Sequence, residues 1–406
     1  MTSQHDLVPP PAAAGEGDGA LLGRRGRLDA YGLTVFGEMS ALADATGAIN
    51  LGQGFPDSDG PPEVLEAAVE AIRGGQNQYP PGRGVPSLLQ AIAEHESSWW
   101  GLEFDPESEI LVTAGATEAI AAAVLGLCQQ GDEVVIFEPY YDSYAATIEL
   151  AGARRRVVPL RPPRWSFDPE ELERAITPAT RLILLNTPHN PSGRVLGLPE
   201  LETVARLCIE NDLVAVADEV YEHLVFEGTH VPLSCLPGMA ERTIRISSAG
   251  KTFSATGWKI GWALGPPHLV NSVRAVKQFL TYASGTPFQH AVAAGLRLPA
   301  DRFTAAATAL RARRDRFCDG LEALGWTVSR PEATYFAIVD IRQFGAVDGF
   351  QFCRSLVADV GVAAVPLSVL YDDKKAGGPL IRFAFCKQPA LLDEALSRLG
   401  RLRLRT

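Results

Sequence analysis

Leu213-Val214-Ala215-Val216-Ala217-Asp218 is a run of five apolar residues closed by a carboxylate. An unbroken apolar run of strand length reads as a strand buried on both faces, which is the habit of parallel sheets covered by helices. The pattern repeats outward. Upstream, 109–114, 133–137, 155–160 and 181–186 read as short strands, and 117–128, 144–151, 168–176 and 198–211 as the helices between them. Downstream, 243–247 is a further strand. Helices over 63–73 and 86–100 precede the series. The alternation predicts an α/β fold, a mostly parallel sheet with helices on both faces.

Past Leu298 the texture changes. Residues 304–324 read as one long helix whose Arg311, Arg313, Arg314 and Arg316 form a solvated face. Strands near 335–340 and 380–385, a helix over 350–360 and another at the end predict a smaller α+β domain. The expected organisation is a tail over 1–25 that does not fold, an N-terminal segment 26–58 packing with the small domain, a large domain 59–298 and a small domain 299–406.

The 406 residues are 46% hydrophobic and 21% charged, so a disordered or fibrous chain is excluded. A net charge of −11 argues against a general nucleic-acid binder, which needs clustered basic side chains. No stretch has the 18 or so apolar residues needed to span a bilayer, and the start of the chain lacks a secretory pattern. The six cysteines are scattered without a C-x-x-C, which reads as reduced core thiols and a cytoplasmic setting. Gly250-Lys251-Thr252 lacks the earlier glycine of a phosphate-binding loop, since position 245 is Arg. Gly52 and Gly54 lack the third glycine of a dinucleotide fingerprint, and no histidine pair has metal-site spacing. His223 and His230 read as structural or exposed.

Three residues at strand ends carry the chemistry. Asp218 closes its strand; alone it reads equally as a cap or turn. Lys251 follows the strand 243–247 among small residues; alone it reads as a solvated loop lysine. Asn190, in Asn186-Thr187-Pro188-His189-Asn190-Pro191-Ser192-Gly193, reads alone as a turn. Together they end three strands of one sheet, and ligands of such sheets bind at the carboxyl ends of strands. An amine that bonds a carbonyl, with an acid for a ring nitrogen, is what pyridoxal 5′-phosphate requires. Gly115-Ala116-Thr117, leading from a strand into a helix, offers backbone N–H groups and a positive dipole end to the phosphate, with Ser248 and Lys259 completing the cup.

In order, Asn190-Pro191-x-Gly193, Asp218-Glu219-x-Tyr221, Ser247-Ser248-x-x-Lys251, Gly257-Trp258-Lys259-x-Gly261 and Ile381-Arg382-Phe383 resemble the fold type I class I/II aminotransferases dependent on pyridoxal phosphate. The set spans residue 26 to the end. Residues 50–57 and 248–259 are most similar to the kynurenine aminotransferase, glutamine transaminase K and methionine aminotransferase branch. The N-succinyldiaminopimelate aminotransferases of actinobacteria are similar over the same stretches.

The resemblance implies that Lys251 bonds the cofactor and, once freed, moves a proton between the substrate Cα and the cofactor's C4′. It implies that Asp218 pairs with the ring nitrogen, that Tyr221 and Asn190 bond the phenolic oxygen, and that Tyr141 stacks on the ring. Arg382 would grip the substrate α-carboxylate, helped by Gly54 and Asn190. Gly115, Ala116, Thr117, Ser248 and Lys259 would bind phosphate; Lys259 stands where the broader family has arginine, as in the kynurenine branch. Tyr79 would reach the phosphate of a partner subunit, making a homodimer with shared sites. Phe36, Tyr140 and Tyr335 are expected as apolar pocket walls. The expected reaction moves the amino group of an aromatic, sulfur-containing or glutamine-like amino acid to a 2-oxo acid. N-succinyldiaminopimelate transfer is the alternative, and cleavage of C–S bonds by β-elimination a side reaction. A transcription factor with an aminotransferase-like domain would need a helix-turn-helix upstream, and residues 1–25 are too short and too rich in Pro and Gly for one.

Overall fold

A computed structural model describes residue 28 and residues 35–402; the tail expected over 1–25 lies outside them. The chain opens with α1 (Val35–Thr46), β1 (Ile49–Asn50), α2 (Pro62–Arg73) and α3 (Pro86–Trp100). Prolines at the first helical turn set the starts of α2 and α3, where the missing N–H costs nothing. The alternating section follows: β2 (Ile110–Thr113), α4 (Gly115–Leu127), β3 (Glu133–Glu138), α5 (Asp142–Leu150), β4 (Arg154–Pro159), α6 (Pro169–Ala175), β5 (Thr180–Asn186), α7 (Leu198–Glu210), β6 (Val214–Asp218), β7 (Thr243–Ser248), α8 (Ala249–Thr252) and β8 (Gly261–Leu264). Two helices, α9 (Pro267–Leu280) and α10 (Thr286–Leu296), lead to the long α11 (Ala300–Ala323). The remainder is β9 (Thr327–Ser329), β10 (Phe336–Asp340), α12 (Gly349–Val360), β11 (Val362–Ala363), β12 (Val365–Pro366), α13 (Lys374–Gly377), β13 (Leu380–Ala384) and α14 (Pro389–Leu399).

The large sheet has seven strands in the order β2-β8-β7-β6-β5-β3-β4. Pairing is parallel from β7 through β4, as expected, and antiparallel on both sides of β8. β8 was not foreseen, because its four residues Gly-Trp-Ala-Leu are too few to show a period. The helices α9 and α10 also escaped the sequence reading. Along β6, Ala215 and Ala217 pack into one apolar layer while Val214 and Val216 pack into the other. Burial of each such valine contributes about 1.5–3 kcal/mol.

A four-stranded antiparallel sheet, β12-β13-β10-β9, stands apart from the large one. β1 pairs in parallel with β11, Ile49 opposite Val362, so the segment before α2 is laced to this part of the chain. The arginines of α11 do not share one solvated face: Arg314 is buried, donating to Glu227 and to the Pro331 carbonyl and lying over Phe226. All six cysteines are free, and Cys235 alone is exposed rather than in the core. No helix of the described residues is long and apolar enough to cross a membrane.

Register positions the site. Asn186 lies opposite Asp218, and Asp218 opposite Ile246, so the carboxyl ends of β5, β6 and β7 are level. Behind this row sits a buried ionic cluster. Arg245 on β7 is fully buried and bonds Glu96, Glu219 and Glu222. Ser247 and Trp100 also donate to Glu222, and His230 meets Glu219 at 3.3 Å. His223 faces His95 at 2.8 Å, so both histidines singled out in the sequence are buried and structural. The cluster anchors the segment 218–223 that carries Asp218 and Tyr221. Arg245→Met leaves three buried carboxylates without their cation. It is expected to destabilise the fold by about 3–5 kcal/mol, read as a lowered Tm by calorimetry.

Candidate active site

A cleft of about 410 Å³ opens at the carboxyl ends of the strands. Its walls include Asp218, Lys251, Asn190, Tyr221, Tyr141, Gly115, Ala116, Thr117, Ser248, Lys259, Gly54 and Arg382. Twelve of the thirteen residues singled out in the sequence thus converge. The thirteenth, Tyr79, lies outside: it is 84% exposed, on a loop, with its ring edge-on to Tyr282 at 5.6 Å.

Asp218 forms the floor. It is buried, and burial pushes its carboxyl up to about 6, opposed by a hydrogen bond that the Tyr144 hydroxyl donates to Oδ2. The sequence reading had Tyr144 only as the start of a helix. It stands one turn beyond Tyr141 on α5, and the two rings meet edge to face at 5.8 Å. Asn186, also missed, ties the row together. Its Nδ2 donates to the Asp218 carbonyl at 2.8 Å, and its Oδ1 accepts from the Asn190 amide at 2.7 Å.

Lys251 sits on α8, directly after β7. Burial pulls its amine down to about 8, against the opposing pull of the Cys386 thiol and Asp218. Nζ donates to the Tyr335 hydroxyl at 3.0 Å, and that hydroxyl donates to the Gly54 carbonyl at 2.7 Å. Nζ also lies 5.7 Å from the ring centroids of both Tyr221 and Tyr335.

Arg382 projects from β13, where Ile338 and Val365 flank it in register. Nη1 donates to Asn190 Oδ1 at 3.0 Å and Nη2 to the Gly52 carbonyl at 3.1 Å. Leu51 is bonded to Ala363 and Ala384, which fixes that carbonyl beside the guanidinium. The guanidinium carbon lies 4.0 Å from the centroid of the Phe336 ring and 5.1 Å from that of Phe36. Burial lowers its pKa to about 10, which leaves it charged at neutral pH. Nε is a buried donor with no acceptor among the described residues. A planar cation with an unmet donor fits a carboxylate.

At the opposite end, α4 begins on Gly115 at φ +78°, where a Cβ would stand 3.2 Å from Lys259 Nζ. A Cβ on Gly261 would reach the Ala116 amide nitrogen at 2.7 Å. These glycines keep a helix N-terminus, the Ser248 hydroxyl and the Lys259 ammonium clear around one recess, which fits a phosphate. Between recess and floor the walls are Tyr141 and Tyr221, so the residues present fit a flat, phosphorylated, nitrogen-bearing ring.

Of the expected apolar walls, Phe36 lines the cleft. Tyr140 does not: it packs in the core and donates to Asp372. Tyr335 is not an apolar wall either, because its hydroxyl faces the Lys251 amine. Gln53, Asp142 and Phe336 line the cleft without having been foreseen.

A family profile described as aminotransferase class I and II matches residues 46–399. The chain is 52% identical over 386 residues to the probable N-succinyldiaminopimelate aminotransferase DapC of Mycobacterium tuberculosis, covering 92% of this chain and 97% of that protein. It is 39% identical over 377 residues to the methionine aminotransferase of Escherichia coli, covering 93% and 97%. The solved structure of N-succinyldiaminopimelate aminotransferase from Mycobacterium tuberculosis superposes with a TM-score of 0.91 over 94% of this chain and 100% of that one.

A hydrogen bond to the ionised form lowers a carboxyl pKa, so Tyr144→Phe should raise that of Asp218. In cofactor-free protein labelled at aspartate 13Cγ, the Asp218 midpoint is expected to move up from about 6 by about one pH unit.

Proposed function

The chain belongs to the class I and II aminotransferases, enzymes that work through pyridoxal 5′-phosphate, and from that premise we propose that Lys251, Asp218 and Arg382 carry the reaction. The observation that supports this most is their convergence on one cleft from three separate elements, each with its environment tuned by burial. The cofactor supplies an electron sink that acidifies the substrate Cα–H bond.

The chain's own residues do the rest. Arg382 takes the α-carboxylate, its guanidinium carbon lying over the rings of Phe336 and Phe36, and so fixes the direction of the Cα–H bond. Lys251 accepts the Cα proton on Nζ, holds it as an ammonium and would give it up at the cofactor's C4′, so that Cα is left to become the carbonyl carbon of the 2-oxo acid. With a pKa of about 8, roughly a tenth of the amine is unprotonated at pH 7, enough for a general base. Asp218 would pair with the ring nitrogen and keep it protonated, while Tyr144 holds the carboxylate in place. Asn190 and Tyr221 would bond the phenolic oxygen, Tyr141 would cover the ring face, and Gly115, Ala116, Thr117, Ser248 and Lys259 would hold the phosphate.

The same reading makes the enzyme a cytoplasmic homodimer, with the exposed Tyr79 entering the partner's site. It divides the chain into a large unit over 59–298 and a small unit over 299–406, on which 26–58 packs. The pairing of β1 with β11 and the free thiols support these assignments.

For the donor we propose N-succinyldiaminopimelate, on the strength of 52% identity across nearly the whole chain. This reverses the preference drawn from the short motifs 50–57 and 248–259, which the two branches share. A second reading, methionine or an aromatic amino acid, is favoured by the aromatic wall of Phe36 and Phe336 and by the absence of a further arginine among the described lining residues. With 2-oxoglutarate as acceptor, N-succinyldiaminopimelate is expected to show a kcat/KM at least about tenfold above methionine and kynurenine; the reverse order selects the second reading. Lys251→Ala is expected to lower kcat/KM by at least about 10³-fold. Arg382→Lys keeps the charge but loses the fork, and should cost about 10–100-fold in kcat/KM.

A further inference from the structure

Tyr335 is the residue nearest the proposed proton carrier that no role above absorbs. It lies just before β10, 2% exposed, with its ring edge-on to Tyr221 at 5.4 Å. Its hydroxyl also bonds that of Tyr221. The Gly54 carbonyl, at 2.7 Å, can only accept, so the hydroxyl donates there and turns a lone pair toward Lys251, 3.0 Å away. Lys251 must therefore donate in this contact.

We propose that Tyr335 is a positioning residue for the reaction: its hydroxyl, pinned by Gly54, accepts a hydrogen bond from the Lys251 amine and thereby aims the lone pair of that amine into the cleft.

The consequence is geometric. A neutral amine has two N–H bonds and one lone pair. With one N–H held by Tyr335 at the back of the cleft, rotation about the Cε–Nζ bond is restricted, and the lone pair turns toward the Cα hydrogen of a substrate held by Arg382. When that hydrogen leaves Cα as a proton, it joins the Nζ lone pair, and the electron pair of the broken C–H bond stays with the substrate. The ammonium so formed keeps its bond to Tyr335 until the proton is passed on, away from Cα. Tyr335 itself neither gains nor loses a proton: burial pushes its hydroxyl well above the ordinary tyrosine range, and it stays a hydroxyl through the working pH range. The Gly54 carbonyl belongs to the segment whose Leu51 is bonded to Ala363 and Ala384, so the aim of the amine is set by the strand that also carries Arg382.

This inference rests on the assignment of Lys251 above, and the test separates the two. Tyr335→Phe removes one oxygen and keeps the ring. A hydroxyl acceptor favours the ammonium over the amine, so its loss should lower the Lys251 pKa. In the cofactor-free enzyme, acetic anhydride labelling of Lys251 followed by peptide mass spectrometry is expected to give a midpoint near 8 for the parent protein and about half to one pH unit lower for the variant. In the loaded enzyme, kcat should fall about tenfold with donor KM within about twofold, because substrate binding by Arg382 is untouched. A variant with parental midpoint and parental kcat overturns the proposal while leaving Lys251 in its role. Turnover retained by Lys251→Ala overturns the reading beneath it. Should the phenylalanine variant fail to fold, the parent still decides: with tyrosine 13Cζ labelling, a tyrosine resonance must titrate with the Lys251 labelling midpoint, and its absence overturns the proposal.

Discussion

Removing ionisable groups from water is the constraint on which this site depends. Burial alone moves the Asp218 carboxyl up and the Lys251 amine down, toward each other and toward neutral pH. Neither shift needs an unusual partner; both follow from a sheet whose strand ends are closed off by the segment before α2 and by β13. The same burial makes each group expensive, and the structure offsets that cost with directed bonds. Tyr144 serves Asp218, Tyr335 serves Lys251, and Asn190 with the Gly52 carbonyl serves Arg382.

The row of strand ends needs its own support, and the Arg245 cluster supplies it from the far side. Burial raises Glu96 toward its neutral form, while Glu219 and Glu222 stay ionised against one guanidinium, an excess of negative charge that the further donors Ser247, Trp100 and the Leu233 amide help to hold. Such a cluster is a poor source of net stability compared with packed apolar side chains. What it does provide is directional bonds that hold 219 and 222, and so the intervening Tyr221, against β7. Site geometry and fold register are therefore one problem in this chain.

The sheet from β7 to β4 was legible because parallel strands buried on both faces leave unbroken apolar runs, and the active-site row was legible because a polar residue closing such a run is conspicuous. β8 left no such trace, being four residues between a glycine-rich loop and a turn. Tyr144 was hidden because its partner lies 74 positions away, and only its three-residue offset from Tyr141 hinted at a shared face. Arg314 was misjudged because helical charge runs usually face water, whereas here a carbonyl and a carboxylate reach it from other segments. Tyr140 and Tyr335 both read as apolar in the sequence, and in both the hydroxyl finds a polar partner that sequence spacing does not show.

The lining of the cleft bears on which substrates it admits. Arg382, Lys251 and Lys259 face Asp218 and Asp142, an excess of one positive charge inside a chain of net charge −11. A local positive excess in a low-dielectric cleft draws in anions whatever the sign of the whole molecule, which suits a phosphate and an α-carboxylate arriving in turn. Asp142 works against a second carboxylate placed close to the first, since like charges in a partly buried site repel strongly. Charge in the cleft is therefore concentrated around Arg382, with one acid acting on it and aromatic rings beside it.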